Sequence, residues 1–346
     1  MKNFNFILDM PEQFILLFAP TGWGKTSLIL QLVEENNYLA VYLSPLRAIN
    51  REVAARSEKK IPTFKLFGEE LQSKAELMQT FFRAKRGLLI STPEGLPGTF
   101  WHEVEVIANH KKILVILDEI HLFFYWGEGF REQLWEQFYA IPFEKLRVVA
   151  LTATFDETIL TQFKQQLLPY ISATAILNLG NQRVRINPRD FYYVPPFFKA
   201  QLRRLFVREI RKQQGTLLYF CQYRQQVDRW VEWCRRENIS AIGVKGGEVE
   251  LFYEKLQQAG APTVIFSTLV LGHGVNLPKL RAIYIGYEVK NQDFFIQMLG
   301  RGGRNGERFL AFAFDHYEVQ SWPEKIRACL RVFSYYLAGT FLINQL

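Results

Sequence analysis

Short, continuous apolar runs recur along the first half of the chain, and between them the hydrophobic positions fall at helical spacing. FILLFA, LAVYLS, GLLIST, KILVIL and RVVALTA lack the alternation of a half-exposed strand, so they read as strands buried on both faces and joined by crossover helices. Residues 181–196, NQRVRINPRDFYYVPP, interrupt this pattern with three prolines and mixed charge. After them the alternation resumes in GTLLYFC, ISAIGV, PTVIFST and LRAIYIG. The expectation is an α/β fold in two tandem domains, each a mainly parallel sheet flanked by helices, with a short C-terminal helical tail. The boundaries expected are domain 1 over residues 1–185, a linker over 186–196, domain 2 over 197–318 and the tail over 319–346.

The first apolar run ends in APTGWGKTS, and the helical pattern LILQLVEE follows. Strand, glycine-rich turn, Lys-Thr and helix in that order make a phosphate-binding loop, because the turn exposes backbone N–H groups at the positive end of a helix. Gly22 and Gly24 let the backbone wrap a β-phosphate, Lys25 reaches the β- and γ-phosphates, and Thr26 ligates Mg²⁺. Thr21 and Ser27 complete the expected nucleotide contacts. Apolar residues at 28, 29, 32 and 33 give the helix one buried face.

Hydrolysis of a nucleotide also needs carboxylates at a neighbouring strand end. KKILVILDEIH supplies them: five apolar residues run into Asp118, a metal-shell carboxylate, and Glu119, which orients or deprotonates the attacking water. His121 is expected to couple the γ-phosphate site to the second domain.

Charge points to the partner. Lys and Arg total 42 against 34 Asp and Glu, a net charge of +8, which favours a polyanion such as nucleic acid. A hydrophobic share of 49% excludes a disordered chain. No apolar run approaches the roughly 18 residues of a membrane span, and the N-terminus lacks the features of a signal peptide. The three cysteines form no CxxC pair, so a reduced, cytoplasmic setting is expected.

APTGWGKT, SPLRAI, STPEGL, DEIH, LTAT, LLYFCQ, STLVLGHGVNLP and QMLGRGGRNG together resemble, in order, the motif set of a superfamily 2 helicase, over residues 19–306. The resemblance implies two RecA-like domains with ATP in the cleft between them. It implies that Gln297, Arg301 and Arg304 act on the γ-phosphoryl group, and that Gly274 and Asn276 approach ribose and phosphates. Thr152 and Thr154 fall on the motif that links the DEIH site to the nucleic-acid groove. Pro45, Arg47, Thr92, Pro93, Gly246, Ser267 and Thr268 fall on loops that hold a strand by its backbone. WGEGFR resembles the aromatic-rich loop of RecQ-type DNA helicases, placing Trp126, Phe130 and Arg131 against single-stranded DNA. GVNLP and QMLGRGGR resemble the Ski-like and Hel-type branch, and both branches imply 3′-to-5′ movement.

Gln13 is the candidate for the adenine-reading glutamine upstream of the loop. The short stretch after Gly306 has no room for a winged helix, zinc module or ratchet domain, so accessory functions are expected from a protein partner. The expected function is an ATP- and Mg²⁺-dependent helicase or translocase on single-stranded DNA. An RNA helicase or RNP remodeller uses the same motifs and stays open, as does an ATPase subunit of a larger DNA-processing complex. A non-hydrolysing scaffold is disfavoured by intact Lys25, Asp118, Glu119 and Arg304, and a GTPase by the lack of an NKxD-like motif.

Overall fold

The computed structural model describes residues 6–19, 23–67, 73–127, 131–153, 157–171, 173–179, 190–194, 199–246, 248–272, 277–303 and 308–314, with residues 323, 326, 327, 330, 333 and 334 of the tail. Thr21, Gly22, Phe130, Thr154, Gly274, Asn276 and Arg304, among the expected site residues, lie outside them. The chain divides into two compact units, Met1–Val184 and Arg185–Leu346.

The first unit holds β1 (Phe14–Phe18), β2 (Leu39–Leu43), β3 (Thr63–Leu66), β4 (Gly87–Ser91), β5 (Ile113–Asp118), β6 (Arg147–Thr152) and β7 (Thr174–Asn178). They form one parallel sheet in the order β3-β4-β2-β5-β6-β1-β7. The second holds β8 (Asp190–Val194), β9 (Thr216–Phe220), β10 (Ala241–Val244), β11 (Val264–Ser267), β12 (Leu280–Ile285) and β13 (Leu310–Phe314). Its sheet is also parallel, in the order β10-β11-β9-β12-β13-β8. Both are α/β sheets flanked by helices.

The linker boundaries need correction. Asp190–Val194, inside the expected 186–196, is an edge strand paired with β13. Three prolines crowd this segment, yet none interrupts DFYYV, and an edge strand tolerates prolines at its ends.

Residue parity on the first sheet decides which groups meet. Ile15, Leu17, Ala40, Tyr42, Leu114, Ile116, Val149 and Leu151 share one face and pack under the helices Lys25–Glu35 and Arg47–Ser57. Phe14, Leu16, Val41, Leu43, Val115, Leu117, Val148 and Ala150 share the other and pack with Phe123, Phe124, Leu134 and Phe138. Side chains alternate faces along a strand, so Asp118 continues the first row and Thr152 the second. Among the described residues, no helix is long and apolar enough to cross a membrane.

Candidate functional site

The helix Lys25–Glu35 begins at Gly24, whose φ of 104° is open to glycine and strained for any side chain. Its first turn therefore lies directly against the end of β1. There Ala19 N–H donates to Thr152 O at 3.1 Å, which ties the loop to the end of β6. Lys25 Nζ donates to Ala19 O at 2.8 Å, so the ammonium rests on the loop that carries it. Thr26 is half-buried beside it.

Asp118 ends β5 and is 4% exposed. Its Oδ1 accepts from Glu119 N–H at 2.9 Å, and its Oδ2 accepts the Tyr42 hydroxyl. Burial raises its pKa to about 6; the Glu119 charge adds to the rise, while Tyr42 and Lys25 oppose it. Burial and the neighbouring carboxylates push the Tyr42 hydroxyl well above its ordinary value, which keeps it a proton donor. Tyr42 was not apparent as a site residue from the sequence. Its signal was parity: it lies one residue before the end of the strand beside β5, on the face that Asp118 shares.

Glu119 turns the chain with a φ of 54°, a left-handed conformation that costs a residue with a side chain about 1–2 kcal/mol. The turn delivers His121 to the opposite face of the sheet. His121 is fully buried; its Nδ1 lies 3.0 Å from Thr152 Oγ1 and 3.4 Å from Glu119 Oε2. Burial, assisted by the Lys25 charge, lowers its pKa to about 3, so the imidazole is neutral. Lys25, Asp118, Glu119, His121 and Thr152 thus form one cluster at the ends of β1, β5 and β6.

This cluster fits a nucleotide with its magnesium ion. Mg²⁺ keeps several waters and takes one or two protein oxygens plus phosphate, and Asp118 and Thr26 are oxygen donors of that kind. Among the described residues no group of three or more His, Cys, Asp or Glu could hold a metal by itself.

The residues expected to hold a strand divide sharply. In the first unit Arg47 is exposed, whereas Pro45, Thr92 and Pro93 are buried and Trp126 is half-buried. Thr152 is fully buried with its hydroxyl 3.0 Å from His121 Nδ1, so it has no exposed surface to offer a strand. Ser267 is likewise fully buried, with its hydroxyl donating to Thr268 O at 2.6 Å, and cannot present it to a strand. Gly246 is exposed and Thr268 half-buried. Ser27 is exposed, and its hydroxyl accepts from Arg56 at 2.5 Å. Gln297 and Arg301 are both buried at the end of the helix Gln292–Leu299, where Arg301 Nε donates to Gln297 O at 3.3 Å.

Gln13 is misplaced for reading adenine. Its Nε2 donates to Glu144 O at 2.7 Å, and its carbonyl accepts from Val148 N–H at 2.8 Å. It therefore precedes β1 at the opposite end of the strand from the phosphate loop, about 16 Å away for five residues of strand.

Arg131 joins three of the expected motifs. Its guanidinium pairs with Glu94 Oε1 at 2.5 Å, donates to Pro45 O at 2.9 Å and lies 5.3 Å from the centre of the Trp126 ring. Gly127 packs closely against the Trp135 ring, since a Cβ there would sit 2.3 Å from Trp135 Nε1. Replacing Arg131 by Ala strands the half-buried Glu94 carboxylate and is expected to destabilise the first unit by about 1–2 kcal/mol. Arg131→Lys does not recover the loss, because an ammonium cannot reproduce the fork. Urea unfolding of the full chain measures both; full recovery by Lys would contradict the pairing described.

Residues 4–162 match the DEAD/DEAH box helicase family, and residues 199–306 match the helicase conserved C-terminal domain. The chain is 26% identical to the ATP-dependent DNA helicase hus2/rqh1 of Schizosaccharomyces pombe, over 92% of its own length and 24% of that protein. It is 28% identical to the ATP-dependent DNA helicase RecQ of Pasteurella multocida, over 75% of its length and 40% of RecQ. Identity to the ATP-dependent RNA helicase eIF4A of Debaryomyces hansenii is 24%, over 87% of the chain and 76% of eIF4A. The chain thus spans well under half the length of these two DNA helicases. The fold is similar to that of Saccharomyces cerevisiae Dbp5 bound to RNA and ADP BeF3, with a TM-score of 0.66, 15% identity, and coverage of 94% of this chain and 84% of Dbp5. With both halves matched, and RecQ among its relatives, the chain belongs to the superfamily 2 helicases and carries their two-part core.

Proposed function

We propose that the chain is an ATP-driven motor that moves along single-stranded DNA, in the 3′-to-5′ direction. The observation that carries this reading is the cluster of Lys25, Asp118, Glu119, His121 and Thr152, in which a phosphate loop, two carboxylates and a buried relay converge on adjacent strand ends. Lys25 releases the Ala19 carbonyl to take up phosphate charge, and Glu119 accepts the proton of the attacking water. Asp118 and Thr26 hold Mg²⁺, which supplies charge neutralisation when bound. Gln297, Arg301 and Arg304 supply polar and positive groups for the γ-phosphoryl group during turnover. Thr152 and His121 pass the state of that chemistry to the helix that leads into the aromatic segment.

The DNA helicases among the relatives, together with the WGEGFR segment, favour DNA. The coverage of eIF4A favours the RNA reading: the chain matches 76% of that RNA helicase and only 24% of hus2/rqh1. Steady-state ATP hydrolysis with single-stranded DNA, duplex DNA and single-stranded RNA separates the two. Stimulation by single-stranded DNA above RNA is expected; equal or greater stimulation by RNA reassigns the substrate. No turnover with any polymer returns the chain to a subunit that needs its complex.

A further inference from the structure

The second unit brings three loop ends into one row. Strand order β10-β11-β9 sets Lys245 and Gly246, then Ser267 and Thr268, then Gln222 to Arg224 side by side at the same edge of the sheet. Backbone bonds lock the row: Cys221 N–H donates to Ser267 O at 2.7 Å, and Thr268 N–H donates to Val244 O at 3.2 Å. Most side chains in it are already committed. Ser267 is buried, and Lys245 is held by Asp228 at 2.8 Å and Glu248 at 3.4 Å.

Tyr223 and Arg224 differ. Tyr223 is 59% exposed, a large aromatic ring standing in solvent at the end of this row. Its placement is fixed from below, since Gln226 Oε1 accepts from the N–H groups of Gln222 and Tyr223 at 3.0 and 3.3 Å. Arg224 follows directly, its side chain 63% exposed and only loosely paired with Glu248 at 3.7 Å. Gly246, on the far side of the row, has open space around it.

We infer that Tyr223 is a base-stacking platform of the second unit, with Arg224 taking the adjoining phosphate of a single strand. Backbone-holding loops grip phosphates without engaging bases, whereas an exposed ring next to a guanidinium engages both parts of one nucleotide and tolerates any base. In the first unit, by contrast, Trp126 is half-buried beside Arg131. The inference rests on the proposed single-strand function. It adds that the second unit distinguishes a strand with bases from a bare backbone.

Fluorescence anisotropy with a labelled oligo-dT strand and a matched abasic strand tests it on the full chain without nucleotide. Tyr223→Ala is expected to weaken oligo-dT binding about tenfold, Tyr223→Phe to leave it within about twofold, and the abasic strand to bind parent and Tyr223→Ala alike. Thermal unfolding midpoints equal to the parent's show that both variants are folded. Tight oligo-dT binding by Tyr223→Ala overturns the inference while leaving strand binding intact. A Tyr223→Phe loss as large as that of Tyr223→Ala overturns stacking in favour of the hydroxyl. Failure of the parent to bind either strand overturns the inference and the proposed function together.

Discussion

Glu119→Gln is expected to lower polymer-stimulated ATP hydrolysis by about 10³-fold while leaving ATP affinity within about threefold of the parent. The amide keeps the size of the carboxylate and the turn at a φ of 54°, but it cannot accept a proton. Lys25→Ala is expected to lose both turnover and ATP binding, since the ammonium resting on Ala19 O is the group that phosphate would recruit. The pair of variants separates chemistry from binding. Single-turnover hydrolysis and equilibrium binding of a fluorescent ATP analogue supply the two readings. A Glu119→Gln enzyme that turns over within tenfold of the parent sinks the assignment of the base.

The second expectation runs in opposite directions for activity and stability. Asp118→Asn removes the carboxylate proposed to hold Mg²⁺, so hydrolysis is expected to fall by at least about 10²-fold. The same change stabilises the fold. Burial holds the Asp118 pKa near 6 in the native state, above its ordinary value, so the folded chain binds this proton more tightly than the unfolded one. Its contribution favours the fold below the ordinary carboxylate pKa and is lost as pH rises through about 6. At neutral pH the charged form costs on the order of 1–3 kcal/mol, and an amide avoids that cost. The Asn amide keeps both hydrogen bonds, because Oδ1 still accepts from Glu119 N–H and the Tyr42 hydroxyl rotates to accept from Nδ2. Thermal melts should place the variant about 3–8 °C above the parent at pH 7.5, with the gap closing near pH 4. A lower melting point at pH 7.5 contradicts the burial argument.

The strands that sequence made legible are those buried on both faces. FILLFA, LAVYLS, GLLIST, KILVIL and RVVALTA became β1, β2, β4, β5 and β6, because a continuous apolar run has no other stable home in a parallel sheet. Thr63–Leu66 and Thr174–Asn178 are edge strands, with one side unpaired and Lys65 or Asn178 facing solvent, so their pattern was too weak to read. At the site, Lys25, Asp118 and Glu119 were legible because the chemistry demands those types after a strand. Tyr42 and the Arg131–Glu94–Pro45 junction were not, since each depends on a neighbour dozens of residues away. Thr152 and Ser267 were legible as hydroxyls, but not as buried ones.

The neutrality of His121 has a consequence for ionic strength. The grip on a strand is a contest between protein cations and salt, so it weakens steeply as salt rises. The link from Glu119 through His121 to Thr152 runs through an uncharged ring in a fully buried position, where mobile ions have neither access nor a charge to screen. On the proposed function, salt therefore governs how often the chain holds a strand, and leaves untouched what the nucleotide site learns once it does.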